Sequence, residues 1–188
     1  MNYVKSCLII TMLLGVQIGY SQCDANGDGL LNINDIIIQV DCILNECWEP
    51  EPSLCDGLTE VELWGVTYDI GTATEIILVT QGLTGSIPPE IGCLTNLTVL
   101  DLSWNQLSGD IPPEIGSLTN LTALNLSYNQ LTGEIPPEIG NLTNLTYLRL
   151  HYNQLTGEIP PEVCDLIESN NLDMYWILTG NNLINTCE

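Results

Sequence analysis

The chain has 188 residues, 45% of them hydrophobic, which suffices for one medium domain with a small appendage and a real core. It carries 24 Asp and Glu against two Lys and Arg, a formal net charge of −22, which excludes nucleic acid and anionic lipid as partners for its surface. Such a charge repels itself, so it points either to a salty or calcium-rich medium or to selection for solubility.

Residues 1–21 read as a secretory signal: the cation Lys5, an apolar run over 8–18, then the small residues Gly19 and Ser21 around Tyr20. That run is about half the ~20 residues that span a bilayer, and no later run is longer, so no membrane insertion is expected. The protein is therefore expected to be secreted, extracellular or at the cell surface. Cleavage removes Lys5 and leaves Arg149 as the only Lys or Arg. An oxidising compartment lets cysteines pair. Cys7 leaves with the signal, and Cys23, Cys42, Cys47, Cys55, Cys93, Cys164 and Cys187 remain, an odd set in which one thiol has no partner within the chain. None has the CxxC spacing of a zinc site, and His151 is the only histidine.

Residues 22–45 carry metal chemistry. Asp24, Asn26 and Asp28 fall at positions 1, 3 and 5 of a calcium loop, Gly29 supplies the tight turn at 6, the Leu30 carbonyl serves 7, and Asn32 and Asp35 occupy 9 and 12. Hard oxygen donors at alternate positions are what Ca²⁺ requires. Residues 36–44 then have apolar side chains at helical spacing, with Asp35 placed to cap the start. With Asp at 12 and Asn at 9, the segment over 24–44 resembles one F-hand of a dockerin. Dockerins carry two such segments, and this sequence contains one. The bracketing Cys23 and Cys42 are then expected to bridge and to supply the stability of the missing second segment.

Residues 46–71, with Pro50 and Pro52, read as a linker and an N-terminal cap. The next stretch repeats. Ile-Pro-Pro-Glu starts at Ile87, Ile111, Ile135 and Ile159, a period of 24 without a gap, which divides residues 72–167 into four units. Within a unit, Leu100 and Leu102 alternate with Val99, Asp101 and Ser103, the pattern of a strand buried on one face. Stacked units therefore make a parallel sheet. Asn105, Asn129 and Asn153 follow the strands, and in a column their amides would bond the backbone groups that the bend leaves unpaired; Gln81 weakens the first rung. Glycines at 85, 109, 133 and 157 permit a sharp turn, and paired prolines keep the return segment out of any long helix. No unit can bury its leucines alone, so stability comes from neighbours.

The units resemble the plant-type leucine-rich repeat, whose 24-residue pattern LxxLxxLxLxxNxLxGxIPxxLGxL they match almost letter for letter. The resemblance implies an α/β fold: a right-handed leucine-rich-repeat solenoid with a parallel sheet on the concave face, short 3-10 or extended segments on the convex face, and a cap at each end. Trp64, Gly65 and Val66 are similar to the start of that family's N-terminal cap, but Tyr68 stands where the family has a cysteine. The cap bridge would then fall to Cys55 or Cys47 with Cys93. After residue 167 the pattern decays. Leu172, Met174 and Trp176 keep the strand alternation, and residues 168–188 read as a closing cap stapled by the flanking Cys164 and Cys187.

Four columns of side chains are expected to point from the concave face: Glu75, Val99, Ala123, Tyr147; Ile77, Asp101, Asn125, Arg149; Val79, Ser103, Ser127, His151; and Thr80, Trp104, Tyr128, Tyr152. The last is the sharpest binding candidate, because aligned aromatics offer large rigid contact area to a protein or flat faces to a sugar. Arg149 sits among these residues, placed to hold a carboxylate or to pair with Asp101. Asp110, Glu134 and Glu158, and separately Glu90, Glu114, Glu138 and Glu162, are expected to form screened ladders on a solvated face. No nucleophile, base and oxyanion group come together in the sequence, so a catalytic role is not expected. The residues point to a secreted non-catalytic monomer binding an extracellular protein or polysaccharide, with an accessory or adhesive part in polysaccharide breakdown, recruited through the calcium module, as the alternative.

Overall fold

A computed structural model describes residues 54–187, together with a short antiparallel pairing of β1 (Leu8–Ile9) with β2 (Ser21–Gln22). The chain divides into two units, Met1–Glu51 and Pro52–Glu188. The remainder of the expected signal segment, the expected calcium ligands Asp24, Asn26, Asp28, Leu30, Asn32 and Asp35, and Cys23, Cys42 and Cys47 lie outside the described residues.

The second unit opens with a hairpin of β3 (Glu60–Leu63) and β4 (Val66–Asp69). Trp64 and Gly65 form its two-residue turn, both at positive φ (49° and 79°), as the twist of a tight hairpin demands. Val61 and Leu63 alternate inward and join the core. Each following coil then contributes one three-residue strand, β5 (Glu75–Ile77), β7 (Val99–Asp101), β9 (Ala123–Asn125) and β11 (Tyr147–Arg149), to a parallel sheet in the order β5-β7-β9-β11. The register steps by one repeat, so Glu75, Val99, Ala123 and Tyr147 stand in one row and Ile77, Asp101, Asn125 and Arg149 in another. Leu100, Leu124 and Leu148, central in their strands, are buried, and Leu102, Leu126 and Leu150 follow them inward.

A second parallel sheet was not legible in the repeat. It joins β6 (Thr84–Gly85), β8 (Gln106–Asp110) and β10 (Gln130–Thr132), and β12 (Thr156–Glu158) pairs with β13 (Asn182–Ile184). These strands bury a single leucine per coil, Leu107 or Leu131, so they lack the alternation that marks the concave strands.

The proline pairs open short 3-10 helices at Pro89–Cys93, Pro113–Ser117 and Pro137–Asn141. The first proline of each pair is the extended N-cap; the second takes the first helical position, where its missing N–H is no loss. A Cβ added to Gly92 would lie 2.6 Å from the Glu114 carbonyl oxygen, and one on Gly140 2.7 Å from that of Glu162. The glycine therefore admits the backbone of the next coil. In the last coil Cys164 occupies the matching position, and the segment extends into the nine-residue helix α1 (Pro161–Ser169), which buries Val163, Leu166 and Ile167.

The closing cap departs from expectation. The segment around Leu172, Met174 and Trp176 is not a strand: Asp173 accepts a hydrogen bond from the Tyr175 N–H at 2.9 Å and starts the short helix α2 (Tyr175–Leu178). Its Trp176 carbonyl accepts from the Leu150 and His151 N–H groups, both at 2.9 Å, so the turn satisfies the sheet edge without extending it. The Asn column continues regardless. Asn129 donates to the Leu102, Leu126 and Ser127 carbonyls and accepts from the Leu107 N–H, and Asn153 repeats that role one coil on. Asn181 takes the next rung, accepting from Leu155 N–H and donating to Leu150 and Ile177 carbonyls. Exposed Gln81 turns back on the Val79 carbonyl instead.

One apolar core runs from Val61 through every coil to Ile177. Disulfides tie both ends, Cys55 to Cys93 and Cys164 to Cys187.

Candidate functional site

The site begins with a backbone turn. Thr80, Trp104, Tyr128 and Tyr152, each leaving its concave strand, hold φ between 54° and 57°, a left-handed conformation that costs a non-glycine residue about 1–2 kcal/mol. Their backbones are tied coil to coil, Thr80 N–H to the Ser103 carbonyl, Trp104 to Ser127, Tyr128 to His151 and Tyr152 to Thr179. The repeat spacing is close to the thickness of an aromatic ring, so the side chains stack. Trp104 and Tyr128 have centroids 3.8 Å apart at 12°, and Tyr128 and Tyr152 4.6 Å apart at 22°. Each stacked pair contributes about 0.5–1.5 kcal/mol, which offsets the strained backbone. Trp104 remains 55% exposed and Tyr152 46% exposed, while Tyr128 between them is half-buried.

The column expected to point outward at Val79, Ser103, Ser127 and His151 does not. Ser103, Ser127 and His151 are each 3% exposed. The turn that lifts the aromatic residue out rotates its predecessor inward. Ser103 donates its hydroxyl to Asp101 at 2.6 Å and Ser127 donates its hydroxyl to Asn125 at 2.7 Å, which also buries Asn125. Neither serine is aimed at His151.

Asp101 is half-buried and accepts three hydrogen bonds, from the Ser103 N–H and hydroxyl and from the Asn125 amide at 3.0 Å. Its expected pairing with Arg149 does not form. Asn125 stands between them in the row, and the Arg149 guanidinium instead lies between the Tyr147 ring, 4.4 Å from its centroid, and the Trp176 ring, at 4.3 Å. Arg149 Nε is buried without an acceptor.

His151 packs edge-on against Tyr128, Tyr152 and Trp176, and its Nδ1 is likewise buried without a partner. Burial first, and then the nearby Arg149 charge, push the imidazole below its ordinary pKa, opposed by a backbone hydrogen bond at Trp176. A neutral histidine thus floors the aromatic stack. Trp176, which the sequence placed only in a cap, completes the surface from α2, and Tyr175 stands edge-on to it. Nothing in the 24-residue period could have flagged Trp176, because it belongs to no repeat.

Elsewhere, Asp110 accepts from the Thr132 hydroxyl, and Glu90, Glu114 and Glu138 are half-buried, with one Glu114 oxygen buried and unpartnered. Those three are less solvated than a screened ladder would be, since they flank the tightly stacked 3-10 helices. Among the described residues no group of three or more His, Cys, Asp or Glu is placed to hold a metal ion, and no helix is long and apolar enough to cross a membrane.

A family model described as leucine-rich repeats in two copies matches residues 95–133 and again 119–161. No curated protein matches the sequence. Among solved structures, a plant ice-binding protein is 40% identical over 58% of this chain and 34% of its own, with a TM-score of 0.53. The leucine-rich-repeat ectodomain of the receptor kinase SOBIR1 from Arabidopsis thaliana is 33% identical over 60% of this chain and 59% of its own, at 0.52. A TDR receptor is 38% identical over 58% of this chain and 18% of its own, at 0.51. The chain thus spans less than two thirds of each of these structures. The repeat match over residues 95–161, the stacked coils and these neighbours together show an α/β leucine-rich-repeat solenoid fold.

Proposed function

We propose that the chain is a secreted, non-catalytic recognition module that binds an extracellular protein on its concave sheet. The observation that carries the reading is the unbroken Trp104, Tyr128 and Tyr152 stack, held on strained turns with its two outer rings about half exposed. Rigid aromatic area with little rotamer entropy to lose is what protein hot spots use. The two receptor-type neighbours support the same class. A polysaccharide fits less well, since stacking along the solenoid consumes the ring faces that sugars would cover and turns ring edges and polar tips to solvent. Arg149, clamped between rings and free of any carboxylate among the described residues, is the point at which an acidic group of the ligand would be held.

The loop at Asp24, Asn26, Asp28, Leu30, Asn32 and Asp35 is proposed to bind one Ca²⁺ that orders the front module, since its donors are the hard oxygens calcium requires. Capture from extracellular material with the mature chain as bait, with and without calcium, tests both parts. A partner lost with Trp104→Ala supports the concave reading. A partner lost only with Asp28→Ala assigns binding to the front module and overturns it.

A further inference from the structure

The aromatic stack ends abruptly. Tyr128 is covered on both faces and one face of Trp104 rests on Tyr128, but the residue one coil before Trp104 is Thr80, whose hydroxyl is turned onto the Val79 carbonyl. No ring stacks on the outer face of the indole, and Trp104 is 55% exposed. Around it the sheet is acidic and apolar. Ile77 is 59% exposed, the Glu75 side chain makes no hydrogen bond or ion pair among the described residues, and Asp101, next to Ile77 in its row, carries a charge that no cation of the described chain offsets.

The far end of the same sheet shows what satisfies such a surface. There the row that begins with Ile77 ends in Arg149, whose guanidinium lies 4.3 Å from the centroid of an indole. Trp104 has the same ring but no guanidinium of its own, and Asp101 holds the neighbouring Ser103 in the same coil. Indole is the strongest of the side-chain π faces for a cation, and a chain of net charge −22 attracts basic partners from a distance.

We propose that the open end of Trp104, with Asp101, is a specificity site that receives an arginine side chain of the protein partner. This rests on the recognition reading above and adds the chemistry that the partner must present. The site lies at the first-coil end of the face, whereas Arg149 marks the last, so a bound segment is oriented with a basic residue towards Ile77 and an acidic one towards Trp176.

The test uses the full mature chain and two small probes, N-acetyl-arginine amide and its neutral isostere N-acetyl-citrulline amide, titrated while the Trp104 indole N–H resonance is followed by NMR; Trp104→Phe assigns the signal. Arginine should shift that resonance, citrulline should bind about three- to fivefold more weakly, and Asp101→Asn or added salt should remove the difference. Asparagine keeps an acceptor for Ser103, as Asn125 does for Ser127 one coil on, so that variant keeps the turn and loses only the bond from the Asn125 amide. An equal response to citrulline, or no response of Trp104 to arginine, overturns the proposal. If a captured protein partner still depends on Tyr152 in that case, the recognition reading stands and only the arginine site falls.

Discussion

Tyr128 is the ring on which the binding surface depends, and its removal has a calculable cost. Its side chain is sandwiched between Trp104 at 3.8 Å and Tyr152 at 4.6 Å and touches His151 edge-on. Two stacked pairs at about 0.5–1.5 kcal/mol each, with about 1 kcal/mol for the half-buried apolar area, put the cost of Tyr128→Ala near 2–4 kcal/mol. The backbone makes a second, sharper comparison available. At φ 55° alanine bears the left-handed strain and glycine does not, so Tyr128→Gly should be at least as stable as Tyr128→Ala, although glycine is ordinarily the worse residue in ordered structure. Urea unfolding followed by circular dichroism, with m held common to the three proteins, reads both differences. A loss below about 0.5 kcal/mol for alanine, or a glycine variant about 1 kcal/mol weaker than the alanine one, would refute the idea that stacking offsets a strained turn.

Three further outcomes follow from the same geometry. Asn129→Ala leaves the Leu107 N–H buried without a partner, while the Leu102 carbonyl keeps the Asn105 amide, and should lower the unfolding free energy by about 2 kcal/mol in the same assay; a loss under about 0.5 kcal/mol would contradict the ladder. Gly140→Ala drives a methyl to 2.7 Å from the Glu162 carbonyl, so it should cost about 2 kcal/mol or more and lower the melting temperature, whereas a neutral result would mean the coils are not in this contact. His151 has a folded pKa below its unfolded one, so its contribution is present above about pH 6.5 and lost as pH falls through the folded value, when the unfolded chain already holds a proton that the buried ring resists. His151→Phe should therefore flatten the decline of stability between about pH 7 and pH 5; an unchanged slope would remove the buried neutral imidazole.

The solenoid was legible because its period is a packing rule written once per coil. Leu100, Leu124 and Leu148 recur where the core is, and Asn105, Asn129 and Asn153 where the backbone bends, so the period of 24 predicts the neighbours as well as the unit. Two things escaped it. Strand alternation assigned Ser103, Ser127 and His151 to the outer face, but the left-handed turn at the following aromatic residue breaks the alternation there and buries them. The end of the chain was misread for the opposite reason. Around Leu172, Met174 and Trp176 no next coil imposes a pattern, so local capping by Asp173 decides, and the residues form a helical turn rather than a strand. The longer helix α1 and this turn together insert the residues by which Asn181 trails its predecessor beyond one period, and it still occupies the Asn column.

Hydroxyl-radical footprinting of the mature chain, alone and saturated with its captured partner, tests most directly whether the concave sheet is the recognition surface. Oxidation of Trp104 and Tyr152, both about half exposed when free, should fall several-fold on binding, with the convex residues Pro113 and Pro137 unchanged. Unaltered oxidation of those two rings, with protection confined to the 3-10 helices, would place the partner on the other side of the molecule and end the case for the aromatic stack.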